Sequence, residues 1–294
     1  LSTEYYYINE NSKSFKVSEQ VLKIRKSNDS LSLAKAYFYI GDCYEVSHRD
    51  SAFFYYQKAE KIYQLIGNEE LRAKMLFNKG YILFYEGNYT ESEIQLSYAL
   101  QLLKEESNHE LIYTVYNLMG CNLEKLDDYD NSLKYFNLAK DELKILNKQD
   151  VLFNEKFDYN VVLSINRANV FNKKNEFDKS VLELNSVLNT KLKISWPKNY
   201  ATVIGNLGYV KMKLGNLKEA EALLKEALNL SKQSGIESSI VYKLNNLGEF
   251  YAIAKDTTQS IRYLKESLQF AEKLKSTDDI KINLQLLSKI DKDN

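Results

Sequence analysis

The sequence predicts an all-α protein, a solenoid of about six helical hairpins. Three observations predict it. Small residues return at one phase of a repeating unit, at Gly41, Gly80, Gly120, Ala168, Gly208 and Gly248. Between these anchors apolar residues recur at three- and four-residue steps, as in Leu217, Ala220, Leu223, Leu224, Ala227 and Leu228, which gives one buried helix face. Breakers such as Glu86-Gly87-Asn88 and Leu214-Gly215-Asn216 separate successive helical stretches.

A glycine inside a helix costs about 1 kcal/mol relative to alanine. Five glycines and one alanine at one phase therefore need a cause, and close approach of paired helices, to roughly 8–10 Å between axes, supplies it. The rest of each unit keeps the frame. Gly208 is preceded by Asn206-Leu207 and followed by Gly215, Ala220, Leu224 and Ala227. Gly80 is followed by Gly87, Tyr89, Leu96 and Ala99, Gly120 by Tyr129, Phe136 and Ala139, and Gly248 by Tyr251, Ser260 and Leu264. Ala168 is followed by Phe171, Phe177, Ser180 and Leu184; Gly41 leads to Tyr44, Ala52, Tyr56 and Ala59 through a turn one residue shorter. Gly205 has no counterpart in the other units, and the repeat does not explain it.

In chain order, a helix near 14–26 makes residues 1–30 an N-terminal capping element. Residues 31–274 hold the six units, and 275–294 read as the first helix of a seventh, truncated one. Between the third and fourth anchors the step lengthens by about two helical turns. The extra residues lie in "DELKILNKQDVLFNEKFDYNVV", where a bend or notch is expected.

Six such units in register resemble the tetratricopeptide repeats. The step of about 40 residues exceeds the 34 typical of that family, so the helices are expected to be longer. In this the chain is similar to Rap-type peptide receptors and to the tetratricopeptide ectodomains of bacterial sensor kinases and membrane-tethered regulators. It departs from the family pattern in two places. The early tryptophan position holds Tyr37, Leu76, Tyr116, Ser164, Ile204 and Leu244, and no terminal proline is present; Trp196 and Pro197 fall together before the fifth unit. The resemblance implies a right-handed α-α superhelix whose first helices line a concave surface. It also implies a non-enzymatic module that binds a peptide or protein segment, as the sensory or interaction domain of a larger bacterial signalling protein. The alternatives are a cytoplasmic Rap-like receptor for a signalling peptide and a structural scaffold or oligomerisation module. The chaperone-tail clamp of some family members needs basic residues where this chain has Phe38, Thr114 and Leu118.

Binding residues are expected on the outward side of the first helices. Two positions before the anchors stand Asn78, Asn166, Asn206 and Asn246, the last three at equal steps along the chain. An asparagine amide offers both donor and acceptor, so such a ladder can hold an extended peptide by its backbone. The same residues can instead bond between adjacent helices as structural rungs. Tyr81, Asn169 and Tyr209, one position after their anchors, would add side-chain selectivity. Lys125, Lys173 and Lys213 form a second column; lysines there complement the helix macrodipole, and attraction of an acidic ligand is the alternative.

Composition sets the exclusions. Forty basic residues balance forty acidic ones, which disfavours nucleic acid as a partner of this portion. No apolar run is long enough to span a bilayer, so a membrane enters only through flanking segments. His48 and His109 stand alone, and no catalytic, phosphate-binding or metal-ligand motif is present, so neither enzymatic activity nor a cofactor is expected. Cys43 and Cys121 belong to no paired motif. The opening on Leu1 and the final "TDDIKINLQLLSKI" lead to the expectation of a longer gene product, with a periplasmic ectodomain favoured over a cytoplasmic protein and homo-oligomerisation left open.

Overall fold

A computed structural model describes residues 11–24, 29–105, 108–148 and 159–292. Everything described is helix or short connection, and the chain forms two compact units, residues 1–152 and 153–294. The expected bend falls largely in residues 149–158, outside the described residues.

In the first unit, α1 (Asn11–Ile24) packs on α2 (Ser30–Tyr44), with Phe15 edge-on to Tyr44 at 5.5 Å. Three antiparallel hairpins follow: α2 with α3 (Arg49–Leu65), α4 (Glu69–Tyr85) with α5 (Tyr89–Leu102), and α6 (His109–Lys125) with α7 (Tyr129–Lys148). In the second unit α8 (Tyr159–Lys173) pairs with α9 (Phe177–Val187), and a short helix α10 (Thr190–Ser195) leads to α11 (Pro197–Lys213). There α11 pairs with α12 (Leu217–Ser234), α13 (Glu237–Ile253) pairs with α14 (Thr257–Lys273), and α15 (Thr277–Lys292) packs on α13 and α14.

The anchors sit where the two helices of a hairpin touch. A β-carbon on Gly120 would stand 2.4 Å from the Phe136 ring, one on Gly248 2.5 Å from Leu264, and one on Gly208 2.9 Å from Leu224. All three partners are buried. Glycine at the anchor therefore gives up helix propensity for a ring or leucine seated on the backbone.

The small residues of the second helices have a further role. Ser92 Oγ donates to the Gly80 carbonyl at 2.7 Å, Ser132 to Gly120 at 2.7 Å, Ser180 to Ala168 at 3.2 Å and Ser260 to Gly248 at 2.7 Å. Each serine is buried, so the bond satisfies a hydroxyl inside the core while tying the hairpin at its anchor.

The turns repeat as well. Gly87 and Gly215 adopt left-handed backbone at φ 80° and 81°, and Asp127, Asn175 and Lys255 take the same conformation in their hairpins at φ 60°, 57° and 60°. The next residue then closes the helix: Asn88 donates its N–H to Leu83 O, Asp128 to Leu123 O, Glu176 to Phe171 O, Asn216 to Lys211 O and Asp256 to Tyr251 O, all at 2.8–2.9 Å. These are Schellman closures, which satisfy carbonyls left open at a helix end.

Candidate ligand-binding face

On a 3.6-residue helix, positions two before and one after an anchor share a stripe turned away from the paired second helix. In the second unit this stripe carries Asn166 and Asn169 on α8, Asn206, Tyr209 and Lys213 on α11, and Tyr242, Asn246 and Glu249 on α13. Contacts cross from helix to helix along it. Asn206 Nδ2 donates to Asn169 Oδ1 at 3.0 Å, joining α11 to α8. Lys213 Nζ donates to Glu249 Oε1 at 2.5 Å, joining α11 to α13, and also lies 5.1 Å from the centre of the Tyr209 ring. Burial works against the Lys213 ammonium, but the Glu249 carboxylate outweighs it and lifts the pKa. Burial pushes the Tyr209 hydroxyl up, and the charge of Glu249 adds to the shift.

The amides of this row are less open than outward-facing positions imply. Asn206 and Asn246 are buried, while Asn166, Asn169 and Tyr209 are half-buried. The Asn206 amide spends one N–H on Asn169. Asn246 Nδ2 is buried with no well-formed hydrogen bond among the described residues. The amide nonetheless approaches the Tyr242 phenol, and a loose hydrogen bond to it opposes the upward push that burial gives that hydroxyl.

Asn78 and Tyr81 stand apart from this row, in the first unit. Asn78 is buried on α4. Tyr81 meets Tyr85 edge-on at 4.7 Å and Phe77 at 6.3 Å, and Arg49 lies 5.3 Å from the Tyr85 ring centre. Burial drives the Tyr81 hydroxyl well above the ordinary phenol range. In the lysine column, Lys213 is engaged by Glu249 and Lys125 lies 3.4 Å from Glu124, so both have carboxylate partners within the fold.

The repeat pattern missed Lys243 and the reason for Gly205. Lys243, on α13, is 2% exposed, and its Cε lies 2.8 Å from where a β-carbon of Gly205 would stand. Gly205 is bare because a lysine stem crosses it. Two sequence signals point to the pair: Gly205 is out of phase with the anchors, and Lys243 stands five residues before its anchor, where the other units place Ala36, Met75, Val115, Leu163 and Val203, all buried. His109 also has a partner that the sequence hid, since its Nδ1 lies 2.7 Å from Glu142 Oε2. Among the described residues no group of three or more His, Cys, Asp or Glu side chains is placed to hold a metal ion.

Hairpins of this geometry, stacked with a small anchor in each, define a helical-repeat binding fold. A family model for the tetratricopeptide repeat matches residues 199–273, and a second matches 113–141. These two stretches are tetratricopeptide repeats, and the chain is similar in fold to Rap proteins. No curated protein matches the sequence. Among solved structures, a Rap protein complexed with Competence and Sporulation Factor is similar at a TM-score of 0.74 and 15% identity, over 98% of this chain and 84% of that one. The apo form of the quorum sensor NprR from B. thuringiensis is similar at 0.67 and 14% identity, over 98% and 85%. Cut9, from the APC/C hetero-tetramer Cut9–Hcn1, is similar at 0.68 and 17% identity, with 48% of that chain covered. No helix among the described residues is long and apolar enough to cross a membrane.

Proposed function

We propose that this chain works by binding rather than by catalysis, and that the amide row of the second unit holds an extended peptide or protein segment by its backbone. The observation that carries the reading is the row of amides on successive first helices, in which the buried Asn246 Nδ2 makes no well-formed hydrogen bond among the described residues and only approaches the Tyr242 phenol. A buried donor without an acceptor is costly, and a peptide carbonyl would relieve that cost. Packed helices lie roughly 10 Å apart, about three residues of extended chain at 3.3 Å each, so successive amides can meet one peptide at regular intervals. Asn166, Asn206 and Asn246 are the proposed backbone contacts, with Asn169 and Tyr209 beside them. Asn78 and Tyr81 are proposed contacts of the first unit in its own right.

The finer reading is a sensory or interaction module in bacterial signalling. It is supported by fold likeness to a Rap protein complexed with Competence and Sporulation Factor and to the quorum sensor NprR. The test begins with peptides selected against the protein from a random displayed library. Their affinities are then measured by fluorescence anisotropy for the wild type and for Asn166→Ala, Asn206→Ala and Asn246→Ala. A loss of about tenfold or more for Asn246→Ala, with the melting temperature retained, is expected for one backbone hydrogen bond at a buried site. Unchanged affinity in all three variants would remove the amide row as the site and leave the scaffold reading.

A further inference from the structure

The first hairpin places a tyrosine where its counterparts place a hydrocarbon. The second-helix position that faces the anchor holds Tyr56 in the α2–α3 pair, and Leu96, Phe136, Leu184, Leu224 and Leu264 in the others, all buried. A β-carbon on Gly41 would stand 2.7 Å from the Tyr56 ring. Phe136 fills the same seat over Gly120, so packing alone does not call for a hydroxyl. That hydroxyl meets two acids: its oxygen lies 2.7 Å from Asp42 Oδ1 and 2.9 Å from Glu45 Oε2.

A phenol carries one hydrogen and donates it well to one oxygen. Both distances are those of O–H···O bonds, so two hydrogens belong among these three oxygens. Burial, and then the charges of Asp42 and Glu45, hold the Tyr56 hydroxyl far above the phenol range, so it keeps its own proton. Its hydrogen goes to the shorter contact, Asp42. The second belongs to Glu45, because burial pushes that carboxyl above its ordinary value of 4.5 against the opposing pulls of Tyr56 and Arg49.

The surroundings of Glu45 lead to α4. Arg49 lies 5.3 Å from the centre of the Tyr85 ring, and Tyr85 meets Tyr81 at 4.7 Å. Beyond burial and Tyr85, the Tyr81 hydroxyl is raised by the charge of Glu45 and lowered by that of Arg49. His48, Asp50 and Glu86 line the cleft that holds Arg49. On the α1 side, burial, Tyr44 and then Glu19 raise the Tyr55 hydroxyl, while burial and Asp42 raise the Cys43 thiol.

We infer that Glu45 holds a proton shared through Tyr56 with Asp42, and that this proton works as a switch on the α4 side of the first hairpin. With it in place, Glu45 donates to Tyr56, Tyr56 donates to Asp42, and Arg49 is left to the Tyr85 ring. When the proton leaves to water, the Glu45 carboxylate pairs with Arg49, the guanidinium leaves Tyr85, and the Tyr81–Tyr85 contact rearranges. The folded chain binds this proton more tightly than the unfolded one, so the clasp holds fully at acid pH and weakens as pH rises through the Glu45 midpoint. Its effect on a ligand rests on the reading of Tyr81 as a peptide contact; the switch itself does not.

Glutamate carboxyl carbons are labelled with carbon-13, and the Glu45 signal is assigned by its loss in Glu45→Gln. Its midpoint is expected about one pH unit or more above the ordinary value, and about half a unit or more lower in Tyr56→Phe, where the acid loses its acceptor. A phenol that gave its hydrogen to the Glu45 carboxylate would make that midpoint rise instead. Asp42→Asn, the second variant should Tyr56→Phe perturb the fold, is expected to lower it by freeing the phenol hydrogen for Glu45. The ring signals of Tyr81 and Tyr85 are expected to follow the Glu45 midpoint in the wild type and to stay still over that window in Glu45→Gln.

A Glu45 midpoint at its ordinary value, or one that holds or rises in Tyr56→Phe, overturns the shared proton. Tyrosine signals that ignore the midpoint overturn the switch. Of the peptides selected above, those weakened by Tyr81→Leu are expected to change affinity about fivefold across the midpoint in the wild type and little in Glu45→Gln. If no peptide needs Tyr81 while the ring signals follow Glu45, the contact reading of the first unit falls and the switch stands.

Discussion

The Lys243 side chain crosses the backbone of Gly205, with Cε 2.8 Å and Nζ 3.0 Å from the point where a β-carbon would stand. A helix-interior glycine gives up about 1 kcal/mol relative to alanine, and here the loss accommodates a neighbouring side chain from the next hairpin. Gly205→Ala is therefore expected to bring none of that gain in the wild type and to recover about 1 kcal/mol in a Lys243→Ala background. Thermal melts of the four proteins of this cycle give the coupling directly. Equal effects of Gly205→Ala in both backgrounds would show that the two residues do not constrain each other.

The serine of the α4–α5 hairpin does more than its equivalents. Ser92 Oγ donates to the Gly80 carbonyl and also accepts from Asn122 Nδ2 at 2.9 Å, so it links two hairpins. Asn122 is fully buried, and its Oδ1 already has no partner. Ser92→Ala is expected to cost about 1–3 kcal/mol because it strands a buried amide, while Ser260→Ala, which loses one bond to Gly248, costs about 1 kcal/mol. Urea denaturation of the two variants checks the order; Ser260→Ala matching or exceeding Ser92→Ala would contradict it.

Lys255 holds left-handed backbone at φ 60°, where Gly87 and Gly215 stand in equivalent turns. An L-residue in that region gives up roughly 1–2 kcal/mol. Lys255→Gly is expected to raise stability by up to about 1 kcal/mol once the entropy that glycine adds to the unfolded chain is subtracted. Gly215→Ala is expected to lower it by a similar amount. The melting temperatures of the two variants should move in opposite directions.

Burial pushes the Lys243 ammonium down to about 8, from 10.5. Below pH 8 the group is charged in both the folded and unfolded chain, and the burial cost is felt in full. Between about 8 and 10.5 the unfolded chain keeps a proton that the folded one has released, so stability gains with rising pH. Over that window the wild type is expected to gain about 3 kcal/mol relative to Lys243→Met, whose difference curve removes the titrations of Tyr209, Tyr242 and Lys213. A flat difference from pH 7 to 10.5 would mean that the ammonium is solvated.

What the sequence disclosed and what it hid follow one physical division. A glycine inside a helix has few explanations, so Gly80, Gly120 and Gly248 revealed the hairpin contacts. Gly87 and Gly215 revealed turns because glycine favours left-handed backbone, whereas Lys255 carries no such preference and its turn was silent. Ser180 and Ser260 read only as small residues, since the carbonyl that receives each hydroxyl lies on the paired helix. The column of Asn166, Asn206 and Asn246 was visible from its spacing, but the burial of Asn206 and Asn246 and the bond from Asn206 to Asn169 were not. A period tells which residues share a phase, and the distance to the next helix is a separate matter. Gly205 and Lys243 each looked anomalous alone, and their complementarity exists only between hairpins.

The most direct test of peptide binding is a titration of the protein, labelled with nitrogen-15 at its asparagine side chains, with a peptide selected against it. The account predicts that the side-chain amide signals of Asn206 and Asn246 shift in proportion to occupancy. Asparagine signals of the second helices, such as Asn185 on α9 and Asn229 on α12, are expected to stay in place. Shifts confined to the second helices, with Asn206 and Asn246 unmoved at saturation, would contradict it.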